Sequence, residues 1–208
     1  MRWIVNISIT IAVILSLNSA KGQLISFDKL DTARVFSSLE SALLFPKEVY
    51  RLDLSRQKFK AFPEEIFLMS NLNELILDKN KLLEIPDRIS SLKYLQRLSC
   101  SKNRLEVFGT GICQLKHLVI LDLSENSLEE IPDAIENLAS LQKLILWGNL
   151  LRYFPTSLGQ LEKLEDFDLL HNDMNQDEQD RLKNLLPNTF IHFSPPCRCD
   201  FYDEDEEE

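Results

Sequence analysis

The chain is 208 residues long, with 44% apolar and 27% charged residues, the composition of one soluble domain with room for a tail. Its five glycines are too few for a Gly-rich phosphate-binding architecture. The net charge is −10, of which six negative charges sit in Asp203–Glu208. A mildly acidic body with an acidic tail argues against nucleic acid as partner, because phosphates need clustered Lys and Arg.

The chain opens MRWIVNISITIAVILSLNSAKGQ. Arg2 gives a short positive start. Ile4 to Leu17 is apolar apart from Asn6, Ser8, Thr10 and Ser16, and the small residues Ser19, Ala20 and Gly22 follow. This is the layout of a secretory signal peptide over residues 1–22, cleaved after Ala20 or Gly22. An uncleaved membrane anchor is the alternative, for which the stretch falls short of the roughly 20 apolar residues that span a bilayer. The expected location is secreted or periplasmic, with membrane contact only transient, through the signal peptide.

Residues 23–48 read as an N-terminal cap. In FDKLDTARVFSSLESALLFP, Leu30, Ala33, Val35, Leu39, Ala42 and Leu43 fall at roughly helical spacings, which predicts one capping helix over 28–44, ended by Pro46.

From Val49 the chain falls into rows of 23 residues: VYRLDLSRQKFKAFPEEIFLMSN, LNELILDKNKLLEIPDRISSLKY, LQRLSCSKNRLEVFGTGICQLKH, LVILDLSENSLEEIPDAIENLAS and LQKLILWGNLLRYFPTSLGQLEK, with a sixth beginning LEDFDLLHND. Position four holds Leu75, Leu98, Leu121, Leu144 and Phe167 from row two on, and position six Leu77, Cys100, Leu123, Leu146 and Leu169. This alternation predicts a short half-buried strand in each row. Asn80, Asn103, Asn126, Asn149 and Asn172 then fill position nine, where an amide can satisfy backbone groups in a turn repeated from row to row. Phe62-Pro63, Ile85-Pro86, Ile131-Pro132 and Phe154-Pro155 open a short helical segment, and Ile66, Ile89, Ile112, Ile135 and Leu158 return to the core. One row cannot bury its apolar face alone; stacked rows can, with their strands in a parallel ladder.

The motif LxxLxLxxNxLxxIPxxIxxL, legible in LNELILDKNKLLEIPDRISSL and LVILDLSENSLEEIPDAIENL, resembles that of the leucine-rich repeat family. The 23-residue form resembles the class shared by bacterial leucine-rich repeat proteins, plant intracellular Ras-group repeats and animal Ras-pathway scaffold repeats. The resemblance implies an α/β fold: a right-handed β-α superhelical solenoid of about six repeats over 49–173, a parallel sheet lining its concave face, helical caps at both ends, and a role in binding another protein. Row three departs from the pattern with Val107-Phe108-Gly109-Thr110-Gly111 in place of Ile-Pro, which predicts a looser convex turn, and row one has Gln57 in place of Asn.

A C-terminal cap is expected over 174–194. NQDEQDRLKNLLPNTFIHF reads as a helix with acidic early turns, Leu182, Leu185 and Leu186 facing inward, and a final edge strand over 189–193. Residues 195–208, which follow Ser194 in SPPCRCDFYDEDEEE, read as a disordered acidic tail. Cys100 fills a Leu column as a small buried hydrophobe and Cys113 follows core Ile112. Cys197 and Cys199 are open to disulfides within or between chains, to free thiols, or to a metal beside Asp200 and Asp203.

No catalytic residue, metal site or cofactor is expected. The three histidines match no HExxH spacing, and neither GxSxG nor CxxC occurs. The binding surface is read instead from positions three, five and seven, which face away from the core leucines. Ile120, Ile145, Trp147 and Leu170 form an apolar cluster in rows four to six, with His171 as the single histidine on this face; Arg97, Lys143, Asp166 and Asp168 set the register of a protein partner. The cap or tail folding over this patch is the alternative. An exported protein-binding module is therefore expected, with a structural or adhesive role by self-association as its rival.

Overall fold

The computed structural model describes residues 23–196. The expected signal peptide, residues 197–208 of the tail and the pair Cys197 and Cys199 lie outside the described residues.

One parallel sheet of eight strands runs the length of the structure in sequence order: β1 (Val35–Phe36), β2 (Arg51–Asp53), β3 (Glu74–Ile76), β4 (Arg97–Ser99), β5 (Ile120–Asp122), β6 (Lys143–Ile145), β7 (Asp166–Asp168) and β8 (Phe190–His192). From β2 to β7 the register is the 23-residue repeat itself: Arg51, Glu74, Arg97, Ile120, Lys143 and Asp166 pair in one line. The middle residue of nearly every strand is buried and its neighbours half-buried, so the leucines enter a continuous core and positions three and five line the concave face.

The asparagines hold the rows together. Each donates from Nδ2 to the position-six carbonyl of its own row and of the row before, as Asn149 does to Leu146 O (2.9 Å) and Leu123 O (3.1 Å). Each also accepts at Oδ1 from the position-eleven amide of the preceding row, as Asn149 does from Leu128 N (3.0 Å). Just before position nine, asparagine in every row but the first, position eight takes a left-handed conformation: Arg56, Lys79, Lys102, Glu125, Gly148 and His171 have φ between 50° and 67°. Gly148 is the residue type that adopts this conformation without strain, which explains its presence beside Trp147.

On the convex side the rows form 3-10 helices, with Pro63, Pro86, Pro132 and Pro155 capping four of them. Among the described residues, α-helices are confined to the two ends. Row three is tight where a looser turn was expected. Its 3-10 helix is three residues long, and Gly111 N–H donates to Asp87 Oδ1 (2.9 Å). A Cβ on Gly111 would lie 2.5 Å from the Asp87 backbone. Glycine lets row three approach row two at a distance that a side chain would forbid.

The N-terminal cap departs from the single helix expected over 28–44. It consists of α1 (Phe27–Thr32), strand β1 and α2 (Leu39–Leu44). Ser38 caps α2 by accepting from Ser41 N, and β1 pairs with β2, so the sheet captures residues that helical spacing assigned to one helix. Leu30, Phe36 and Ala42 are buried, while Val35 is exposed. At the other end, α3 (Gln176–Leu185) is capped by Asn175, which accepts from Glu178 N. Leu182 and Leu186 are buried and Leu185 packs against the core. The final strand β8 is present in parallel register, and Asp166 pairs with Phe190, a step of 24 rather than 23 residues.

Candidate protein-binding face

The two halves of the concave face differ in what lies on them. The chain's own N-terminal segment runs along the leading edge of rows two and three. Gln23 N donates to Asn71 Oδ1 (2.7 Å), Asn73 Nδ2 to Gln23 O (2.9 Å), and Gln96 Nε2 to Ile25 O (2.8 Å). The segment then closes over position three. Asp31 pairs with Arg97 (2.6 Å), its carbonyl accepts from Arg51, and Phe27 lies under the Arg97 guanidinium at 4.6 Å. Glu74, between Arg51 and Arg97 and paired with both, is buried. The hydrogen bond from Arg97 is the main reason the Asp31 carboxyl is held below its ordinary range. Arg97 therefore does not join the other residues expected to meet a partner. Its charge is satisfied inside the chain.

Rows four to six bring the remaining candidates together. Ile120, Lys143 and Asp166 share one register line, and Asp122, Ile145 and Asp168 the next. Trp147 is half-buried, with its ring edge-on to His171 at 6.3 Å. Lys143 Nζ lies 2.6 Å from Asp166 Oδ2, and His192 Nε2 lies 2.9 Å from Asp166 Oδ1. Partial burial pushes the Asp166 carboxyl up, but the bonds from Lys143 and His192 outweigh it and leave the group below its usual range. His171 is exposed and is not the single histidine of this face. The register places His192 beside Asp168, and Phe190, 67% exposed, beside Asp166. Sequence columns missed both residues because the step to β8 has one extra residue, which puts Thr189 in the column that Phe190 occupies. The alternation in Phe190-Ile191-His192 was the available signal.

A shared device ends four of the six strands β2 to β7. Asparagine Nδ2 takes the position-six carbonyl, so the position-seven amide loses its ladder acceptor. Carboxylates supply the replacement in four rows: Asp53 to Ser55 N (2.9 Å), Asp78 to Ser101 N (2.9 Å), Asp122 to Ser124 N (2.9 Å) and Asp168 to Leu170 N (3.1 Å). In rows two and five Ile76 and Ile145 stand where the carboxylate would be, and the amide of Asp78 in row two has no protein acceptor among the described residues. The amide of Trp147 has no protein acceptor among the described residues and remains a free donor beside the indole. Asp122 is pushed up by burial; the Ser124 bonds oppose this, and repulsion from Asp78 and Asp168 adds to it. No cation of the described residues pairs with Asp122 or Asp168, so the open half of the face is apolar with an acidic lining.

A family model described as a leucine-rich repeat region matches residues 64–189. This chain belongs to the leucine-rich repeat family. Among solved structures, a leucine-rich repeat protein of Leptospira interrogans is similar, with a TM-score of 0.62 at 27% identity. The similarity covers 82% of this chain and 52% of the Leptospira chain, so the present chain spans about half the length of that relative. No curated protein matches the chain. Leucine-rich repeats are protein-interaction modules and generally non-enzymatic scaffolds. Among the described residues of this leucine-rich repeat chain, no three His, Cys, Asp or Glu side chains are grouped to hold a metal ion, and no helix is long and apolar enough to cross a membrane. Cys100 and Cys113 are free and buried; burial pushes the Cys100 thiol far up and the Cys113 thiol to about 12.

Proposed function

We propose that the chain is an exported protein-binding leucine-rich repeat module that takes its partner on the C-terminal half of the concave face. The observation that carries this is the asymmetry of the face. The chain's own residues 23–31 hold Arg51 and Arg97, which pair with Glu74 between them, whereas Ile120, Ile145, Trp147, Leu170 and Phe190 have no such cover among the described residues. An aromatic among aliphatic side chains, with an unpaired backbone donor beside it, is the composition of an interaction hot spot. Trp147, Ile145, Ile120 and Leu170 are the apolar anchors. Lys143, Asp166, Asp168 and His171 set register, and Phe190 and His192 extend the surface. Secretion or delivery to a periplasm rests on the leader pattern of residues 1–22.

Capture of the native partner on wild-type and Trp147→Ala protein tests the site. The substitution is expected to weaken binding by about thirty-fold, the effect of losing one hot-spot side chain, while the folded stack persists. Unchanged capture, or a variant that unfolds, would overturn the assignment. Export is tested by N-terminal sequencing of protein from its source, which is expected to begin at Lys21 or Gln23; an intact Met1 refutes it. Self-association is favoured by one feature: β8 ends the sheet with Phe190 exposed. Sedimentation of Phe190→Lys against wild type separates it from the first reading, since a chain that is monomeric in both forms excludes it.

A further inference from the structure

A second surface lies outside the concave face, on the flank where each row descends from its turn towards the convex side. Positions ten to thirteen of a solvated repeat are expected to be polar, yet Leu83 is 56% exposed, Val107 66%, Leu150 46% and Tyr153 78%. These are more open than any of the concave anchors chosen from sequence. They also line adjoining grooves. A groove of about 660 Å³ is lined by Val107, Leu150 and Tyr153, and a second of about 630 Å³ by Leu83 and Val107. The two share Val107 and Glu106, so the channel runs from row two to row five. At about 4.8 Å per row, that length suits roughly five residues of extended chain.

The charge of the channel is one-sided. Glu84, Glu106, Glu129 and Glu130 line it, and none of the ion pairs among the described residues involves them. Of the lining cations, Arg152 lies 3.7 Å from Asp173. Lys60 lines only an adjoining groove beyond Leu83 and Glu84, and Lys81 and Arg104, earlier in the turn, are not among the lining side chains. In row four the pair Glu129-Glu130 separates the apolar residues Val107 and Tyr153 of the adjoining rows.

We propose that this flank binds an extended basic protein segment. Its apolar side chains seat against Val107 and Tyr153, and its Lys or Arg side chains face Glu106, Glu129 and Glu130. The sign of the lining selects among occupants. The chain's own tail, with Asp203–Glu208, is repelled. A symmetric pair of copies would set Glu129 and Glu130 of one against the like charges of the other. A partner held here is additional to one held on the concave face.

The test uses the full chain and two fluorescein-labelled heptapeptides, one alternating Leu and Lys and one alternating Leu and Glu, titrated by anisotropy at low and moderate salt. The Leu-Lys peptide is expected to bind and the Leu-Glu peptide not to bind. The double variants Val107→Ser with Tyr153→Ser, and Glu129→Gln with Glu130→Gln, are each expected to weaken the Leu-Lys peptide by about ten-fold or more, the second also flattening the salt dependence. Trp147→Ala is expected to leave this binding unchanged. All four flank positions are exposed, and thermal midpoints equal to wild type confirm that these variants fold. Three results would overturn the proposal: equal affinity in the flank variants, loss of binding in Trp147→Ala instead, or a wild-type dimer that the Val107 and Tyr153 variant converts to monomer.

Discussion

Replacing Asn149 by Ala removes three hydrogen bonds from the middle of the stack, and the structure tells how unequal they are. The carbonyl of Leu146 keeps a bond from Asn172 Nδ2 (2.9 Å), and that of Leu123 keeps one from Asn126 Nδ2 (2.9 Å). Each therefore loses only its second partner, worth about 0.5 kcal/mol. The amide of Leu128 has Asn149 Oδ1 as its acceptor, in a buried turn that water does not replace, and a stranded buried N–H costs about 1–3 kcal/mol. The sum is about 3 kcal/mol, which at about 3 °C per kcal/mol for a body of this size lowers Tm by about 9 °C. Urea denaturation followed by far-ultraviolet circular dichroism measures it, with Asn126→Ala, in a half-exposed turn, expected to lose less. A loss below about 1 kcal/mol for Asn149→Ala would refute the reasoning, because the stranded amide alone accounts for that much.

Gly148→Ala places a Cβ at φ 67° and is expected to cost about 1 kcal/mol, while Glu125→Gly, which relieves the same conformation one row earlier, is expected to change stability by less than that; paired denaturation curves check both. Asp122→Asn keeps the Oδ1 acceptor for Ser124. Because the folded carboxyl is raised, its charge opposes folding at neutral pH, so the variant is expected to be more stable than wild type at pH 7, with the difference vanishing as pH falls below the carboxylate range. Arg97→Ala is expected to release residues 25–31, read as faster amide exchange there with rows four to six unchanged. Acid is expected to act similarly: Asp31 is lowered in the fold, so the attachment it provides is present above the ordinary carboxylate pKa and lost as pH falls through its folded value.

The stack was legible in sequence because each row repeats its own environment: position four is always core, and position nine always bridges two rows. What escaped reading depends on contacts that do not repeat. Residues 23–31 carry no column of their own, and their hydrogen-bond partners lie 48 to 71 residues ahead. The faint signal was the amide run Asn71, Asn73 and Gln96 at the edge of rows two and three. Strand β1 was hidden in a helical spacing of six residues because two-residue pairing leaves almost no pattern. Arg97 looked available because none of its partners lies in its own row, and Asp31 and Phe27 come from outside the repeats altogether. Phe190 and His192 were displaced by one inserted residue. Row three shows the opposite: the departure from Ile-Pro at Phe108-Gly109-Thr110-Gly111 was visible, but only the distance from Gly111 to Asp87 reveals that the stack is tight there.

The strap of residues 23–31 also orders events in time. A solenoid of identical rows can fold outward from any point, each row needing only its neighbour. The bond from Gln96 to Ile25 spans 71 residues, about three repeats, so the earliest-synthesised part of the described chain finds its place only after row three has formed. Of the described residues the first made are thus among the last to settle, and until they do, Arg51 and Arg97 have only Glu74 as partner on the face that the strap later closes.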